Sequence, residues 1–167
     1  MNNYAYIDNQ NLYMATKFAD EPWLIDMRRF RVYLKEKYHV SKAYLFMGAY
    51  NPDYEKRYSR YAEYGYELVF RPHSSESLGS KKGNVDTDLV FYCMRDAFAD
   101  KSMDKVLIVS RDGDYFRMVE YLSKLDKLEK VLLPSHKNAS SLYKKLSREF
   151  YTYLDNPKLN RRFKVKK

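Results

Sequence analysis

The chain has 167 residues and one cysteine, Cys93, so it is the size of a single domain with neither an internal disulfide nor a Cys-rich zinc site. Its 31 Lys and Arg stand against 22 Asp and Glu, a formal net charge of +9, and 18 of its residues are Tyr. The opening MNNYAYIDNQ lacks a basic stretch followed by an apolar one, and no apolar run approaches the ~18 residues of a membrane span, so a cytoplasmic domain without membrane contact is expected.

Short apolar runs alternate with longer amphipathic ones. Tyr4 to Asp8 reads as a strand and Asn9 to Phe18 as a helix opening directly after it. Trp23 to Tyr38 reads as a second helix, with Leu24, Met27, Phe30, Leu34 and Tyr38 at helical spacing. Lys42 to Met47 is a second strand, Asp53 to Tyr64 a helix, and Tyr66 to Phe70 a third strand. A Ser-, Gly- and Lys-rich loop, His73 to Asn84, leads into a helix from Val85 to Ala99. Lys105 to Ser110 has the continuous apolar character of a strand buried on both faces. A helix from Asp114 to Leu125, a strand Lys130 to Leu133 and a helix Ser140 to Glu149 follow, and a small strand near Tyr151 to Leu154 is admitted.

This alternation predicts an α/β domain over 1–154: a mainly parallel sheet of five or six strands, in order 3-2-1-4-5, between two helical layers. Residues 155–167 form a basic C-terminal tail of charge +5, leaving +4 on the body. A basic body with a more basic tail suits a polyanionic partner, nucleic acid before membrane. For the tail alone, a solubilising disordered end is an equal reading.

In such a sheet, ligands bind beyond the carboxyl ends of the strands, where strand order reverses. With order 3-2-1-4-5 the reversal lies between the first and fourth strands. The first ends at Asp8, and the fourth runs into Ser110-Arg111-Asp112-Gly113-Asp114. Asp86 lies three and four residues before Leu89 and Val90, on the core-facing stripe that continues through Cys93 and Ala97. Asp88, turned by about 200° from it, flanks that stripe. Carboxylates that converge repel one another unless a cation intervenes, and an all-oxygen site suits Mg²⁺ or Mn²⁺ rather than Zn²⁺. Helix capping accounts for Asp8, Asp86 or Asp114 singly. Their joint placement at the ligand edge favours a metal site and metal-assisted phosphodiester chemistry.

Two other phosphate chemistries fail on particular residues. A haloacid-dehalogenase-type phosphatase requires an Asp where Gln10 stands, and the integrin-type metal motif requires Ser at the positions of Gln10 and Leu12. A Gly-rich phosphate loop or dinucleotide fingerprint is absent too, so no small-molecule cofactor is expected.

The segments YIDNQNLY, KKGNVDTDLVFYCMRDAF and VLIVSRDGDYFRMVEYL resemble, in order and spacing, the NYN family of PIN-like, LabA-type domains. The resemblance implies a three-layer PIN-like α/β/α sandwich and a divalent-metal ribonuclease that leaves a 3′-hydroxyl and a 5′-phosphate. It carries over Asp8 and Asn11 from the first segment, Asp86 and Asp88 from the second, and Ser110, Asp112 and Asp114 from the third. Asn9 and Arg111 stand where the family usually has Gly. Arg111 is expected either to bind a substrate phosphate or to pair with a site carboxylate.

The expected metal set is therefore Asp8, Asp86, Asp112 and Asp114, with Asp88 in support, and Asn11 joins the four as catalytic. Lys82, Arg111, Ser110 and Arg117 are expected at the substrate, with Lys81 a weaker contact. Tyr54, Tyr58 and Tyr61 recur at helical spacing beside Lys56, Arg57 and Arg60, a pattern that favours packing over base stacking. RNA is the expected partner, and a homodimer stays open. A non-cleaving RNA-binding or regulatory module and a structure-specific DNA nuclease are the alternatives.

Overall fold

The first strand, β1 (Asn3–Asp8), is buried along its whole length. Its side chains alternate between two cores: Tyr4 and Tyr6 join one, Ala5 and Ile7 the other. That division suits a strand at the centre of a sheet covered on both faces. In a computed structural model that describes residues 1–72 and 85–166, β1 is joined by β2 (Val40–Gly48), β3 (Tyr66–Phe70), β4 (Val106–Val109), β5 (Leu128–Leu133) and β6 (Tyr151–Tyr153). The order is β3-β2-β1-β4-β5-β6 with every pairing parallel. The predicted order holds, and the short sixth strand extends it at the β5 edge.

The helices are α1 (Asn9–Lys17), α2 (Met27–Tyr38), α3 (Glu55–Glu63), α4 (Val85–Ala99), α5 (Phe116–Lys124) and α6 (Pro157–Asn160). Leu12 of α1, Phe30 and Leu34 of α2 and Tyr61 of α3 pack on one face of the sheet. Leu89 and Cys93 of α4 and Val119 and Leu122 of α5 pack on the other. Right-handed crossovers require this separation once the strand order reverses. The result is the expected three-layer sandwich, with its reversal between β1 and β4.

Three segments depart from the expected elements. The second helix begins at Met27, not Trp23, because Asp26 caps it, accepting from the Arg29 amide at 3.1 Å. Residues 23–25 instead meet the chain end: Ile25 bridges Lys164, and Trp23 packs on Phe163. The expected helix Ser140–Glu149 is two 3₁₀ turns, Ser141–Lys145 and Arg148–Phe150. Tyr143 is fully buried there and donates to the Asp112 carbonyl at 2.5 Å, a tether that a continuous helix leading into β6 does not provide. The helix expected from Asp114 starts two residues later, at Phe116, behind a 3₁₀ turn, Gly113–Tyr115, capped by Asp112.

The basic end folds back onto the α2 layer. Phe163 is fully buried, its ring 5.0 Å from Tyr33 and 5.2 Å from Phe30. The Asp26 amide donates to the Phe163 carbonyl at 2.7 Å, and the Val165 amide donates to the Leu24 carbonyl at 2.9 Å. Residues 155–166 therefore do not form the solvated, disordered end that was one reading of them.

Candidate active site

The reversal between β1 and β4 opens a crevice at the carboxyl edge of the sheet, and the acids collect there. Asp8 closes β1 and caps α1, its Oδ1 accepting from the Asn11 amide at 3.1 Å. A capping carboxylate is normally half in water, but this one is only 5% exposed. Burial raises its pKa to about 6, and the nearby Asp86 and Asp112 push in the same direction.

Asp112 lies beyond β4. Its Oδ1 accepts from the Asp114 amide at 2.9 Å, and its own amide donates to the buried Ser110 Oγ at 3.1 Å. The Arg111 amide donates to Asn11 Oδ1 at 2.9 Å, which ties the loop after β4 to the first turn of α1. Gly113 is needed for the tight path: a Cβ there would come within 2.5 Å of Ser140 Oγ and 3.0 Å of Ser140 Cβ. Thus Ser110 and Asn11 act as brackets for the acid-bearing loop.

Asp86, in the first turn of α4, completes the cluster. One carboxylate oxygen each from Asp86, Asp112 and Asp114 lie within 4.8 Å of one another. Burial, then the charges of Asp112 and Asp114, raise the Asp86 pKa. Tyr115 links this group to Asp8: its hydroxyl is 2.6 Å from Asp86 Oδ1 and 3.1 Å from Asp8 Oδ2. A phenol has one proton, so it donates to one carboxylate at a time while keeping both in place. Tyr115 is fully buried, and burial between two carboxylates drives its own pKa far upward.

Among the described residues, no Lys or Arg forms an ion pair with Asp8, Asp86, Asp112 or Asp114. Arg111 does not pair with a site carboxylate. Its guanidinium donates to Ser135 Oγ at 3.0 Å and to the Lys137 carbonyl at 3.2 Å, in the loop after β5. The donor set is all oxygen, and ligand oxygens around a hard cation at 2.0–2.6 Å stand about 3–5 Å apart. The residues therefore fit a divalent cation, which would relieve the repulsion that raises the Asp86 pKa.

Of the expected metal residues, Asp86, Asp112 and Asp114 come together, Asp8 is joined to Asp86 through the Tyr115 hydroxyl, and Asp8 and Asp88 lie outside the three-oxygen set. Arg117 is exposed in the first turn of α5. Lys81 and Lys82 lie outside the described residues. Tyr115 and Tyr143, the two phenols that hold the acids and their loop, were not anticipated from sequence. The available signal was the spacing of Tyr115, Met118, Val119 and Leu122, which puts Tyr115 on the buried stripe immediately after Asp114.

A carboxylate cluster at the switch point of a doubly wound parallel sheet defines an α/β domain whose chemistry takes place at its strand ends. The NYN domain family profile matches residues 4–154, and the chain belongs to that family, a PIN-like nuclease family. A crystallised protein of unknown function from Vibrio parahaemolyticus RIMD 2210633 has the same fold, with a TM-score of 0.78 at 20% identity over 98% of this chain and 96% of its own. No curated protein matches the chain. No helix among the described residues is long and apolar enough to cross a membrane. Nothing in the fold or its relatives supports a homodimer.

Proposed function

We propose that the chain is a divalent-metal-dependent ribonuclease that hydrolyses RNA phosphodiester bonds at the Asp8, Asp86, Asp112 and Asp114 cluster. The observation that carries the proposal is the convergence, at the switch point of a nuclease-family fold, of three carboxylates that have no ion-pair partner among the described residues. Asp86, Asp112 and Asp114 would hold Mg²⁺ or Mn²⁺, with Asp88 on the flank. Bound there, the ion would lower the pKa of water and offset charge on a phosphate oxygen.

The chain's own groups have separate tasks. Asp8, with a pKa of about 6, is poised to hold or release a proton near neutrality. Tyr115 keeps Asp8 and Asp86 in register with each other. Asn11 and Ser110 fix the loop that carries Asp112 and Asp114, and they act by positioning. The exposed Arg117, together with Lys82, supplies positive charge for the RNA backbone. The family resemblance implies 3′-hydroxyl and 5′-phosphate products.

The test is cleavage of 5′-labelled RNA, and of DNA of the same sequence, with Mn²⁺, Mg²⁺ or EDTA. Asp8→Asn and Asp112→Asn proteins are run beside the wild type. Metal-dependent RNA cleavage, lost by at least 100-fold in both variants, is the expected result. Binding without cleavage at any metal concentration would establish a non-cleaving module instead, and preference for DNA would establish the DNA nuclease.

A further inference from the structure

Four aromatic residues at the same edge of the sheet belong to neither core. Tyr61 and Tyr64 join the core beneath α2, whereas Tyr50, Tyr54, Tyr58 and Phe70 are in neither buried cluster nor among the residues packed on one. Tyr50, Tyr58 and Phe70 gather into a trio, with ring centroids 4.8 Å apart for Tyr58 and Phe70, 5.2 Å for Tyr50 and Phe70, and 5.4 Å for Tyr50 and Tyr58. Tyr50 and Tyr54 nevertheless remain 41% and 45% exposed. The Arg57 guanidinium lies 4.8 Å from the Tyr54 ring centre.

The position of this patch connects it with the acids. Phe70 pairs with Gly48, so the trio stands at the carboxyl ends of β2 and β3. The space beside Gly48 is bounded by Val85, the residue before Asp86, 4.0 Å from where a Cβ would project. β3 is two strand spacings from β1, about 10 Å. The exposed tyrosines are therefore within reach, a nucleotide or two away, of a chain whose phosphate lies at the acid cluster. Rings interleaved with a guanidinium are how proteins hold unpaired bases without reading their sequence.

We propose that Tyr50 and Tyr54, backed by Tyr58, Phe70 and Arg57, form a base-stacking subsite for an unpaired nucleobase on the β3 side of the acid cluster. The proposal rests on the nucleic-acid substrate proposed above. A core role was the expectation for Tyr54 and Tyr58 from their helical spacing, and Tyr61 alone of those three fulfils it. A protein partner is the competing occupant of the patch, and the test separates the two.

The probe pair is a labelled oligoadenylate of about 12 nucleotides and an abasic sugar-phosphate of equal length, bound to the full chain in EDTA and followed by fluorescence anisotropy. The wild type is expected to prefer the base-bearing strand by about 5- to 100-fold. Tyr54→Ala, which removes a ring beside Arg57, and Tyr50→Ala are each expected to reduce that preference and to leave abasic affinity unchanged. Tyr50→Phe, which keeps the ring and loses the hydroxyl bond to Glu55, retains the preference. Phe98→Ala, 92% exposed near the far end of α4, serves as the control and also retains it.

Equal affinity of the wild type for both probes overturns the subsite, as does a loss in the tyrosine variants that is the same for both. Binding of neither probe overturns it too and points to a protein occupant. Cleavage is read separately on RNA with metal present. Cleavage without base preference refutes the subsite alone, and base preference without cleavage refutes the nuclease alone.

Discussion

Asp8 sets the electrostatics of the site, because it is the most buried acid in it. Its folded pKa of about 6 lies above its usual value of 3.8, so the native state binds more protons than the unfolded state between those values. Stability of the metal-free protein should therefore fall as pH rises from 4 through 6 and stay reduced above that. Asp8→Asn keeps an oxygen for the Asn11 amide and removes the buried charge. It should raise metal-free stability at pH 7.5 by on the order of 2 kcal/mol and flatten the slope between pH 4 and 6, read from urea midpoints. Tyr115→Phe acts in the opposite direction. It strips the shared hydroxyl from two carboxylates and should cost about 1–3 kcal/mol, with weaker protection by Mn²⁺ in thermal melts. At this scale the acids were legible because residue type and strand-end position suffice to place them. Tyr115 was not, since a tyrosine on a buried stripe looks the same whether its hydroxyl meets water or a carboxylate. Nor could sequence decide which way Arg111 turns, because its long side chain finds its acceptors at Ser135 and Lys137, after β5.

The element that positions the site is the turn after β4, and it depends on a segment about thirty residues later in the sequence. Gly113 faces Ser140 so closely that an added methyl must displace the segment that also carries Leu142, 3.3 Å from the same point. Gly113→Ala should therefore cost about 1–3 kcal/mol in chemical denaturation and move Asp112 and Asp114 out of place. Ser140→Gly removes the obstructing side chain, so Gly113→Ala combined with Ser140→Gly should recover part of the metal-induced rise in melting temperature that Gly113→Ala loses. Failure of that recovery would mean that backbone conformation, not the Ser140 contact, selects glycine here. The same coupling explains why the strands were easier to read than the helix ends. A continuous apolar run such as Val106–Val109 declares itself locally. Whether Ser140 to Glu149 forms a helix depends on Tyr143 reaching Asp112, a contact between distant segments that no local spacing reveals.

At the scale of the whole molecule, the distribution of charge suggested a partner for the C-terminal segment, whereas the distribution of apolar residues determines where it goes. Lys158, Arg161, Arg162, Lys164 and Lys166 make the segment look like a solvated appendage, and one aromatic residue among them decides otherwise. Phe163 enters the cluster of Trp23, Phe30 and Tyr33, and the backbone hydrogen bonds of Asp26 and Val165 fix the strand-like stretch around it. Burying a phenylalanine outweighs the loss of chain freedom in a segment of this length only if its neighbours are preformed, and here α2 supplies them. Phe163→Ala should cost about 3–5 kcal/mol, whereas Lys166→Ala, on the exposed side, should change stability by less than about 0.5 kcal/mol. If a segment 155–167 freely displayed for nucleic acid were correct, the outcome would reverse: Phe163→Ala would leave the urea midpoint where it is, and Lys166→Ala would weaken RNA binding and reduce its salt dependence. Both measurements on the same pair of proteins decide whether the basic residues are presented from a fixed surface on α2 or from a loose chain.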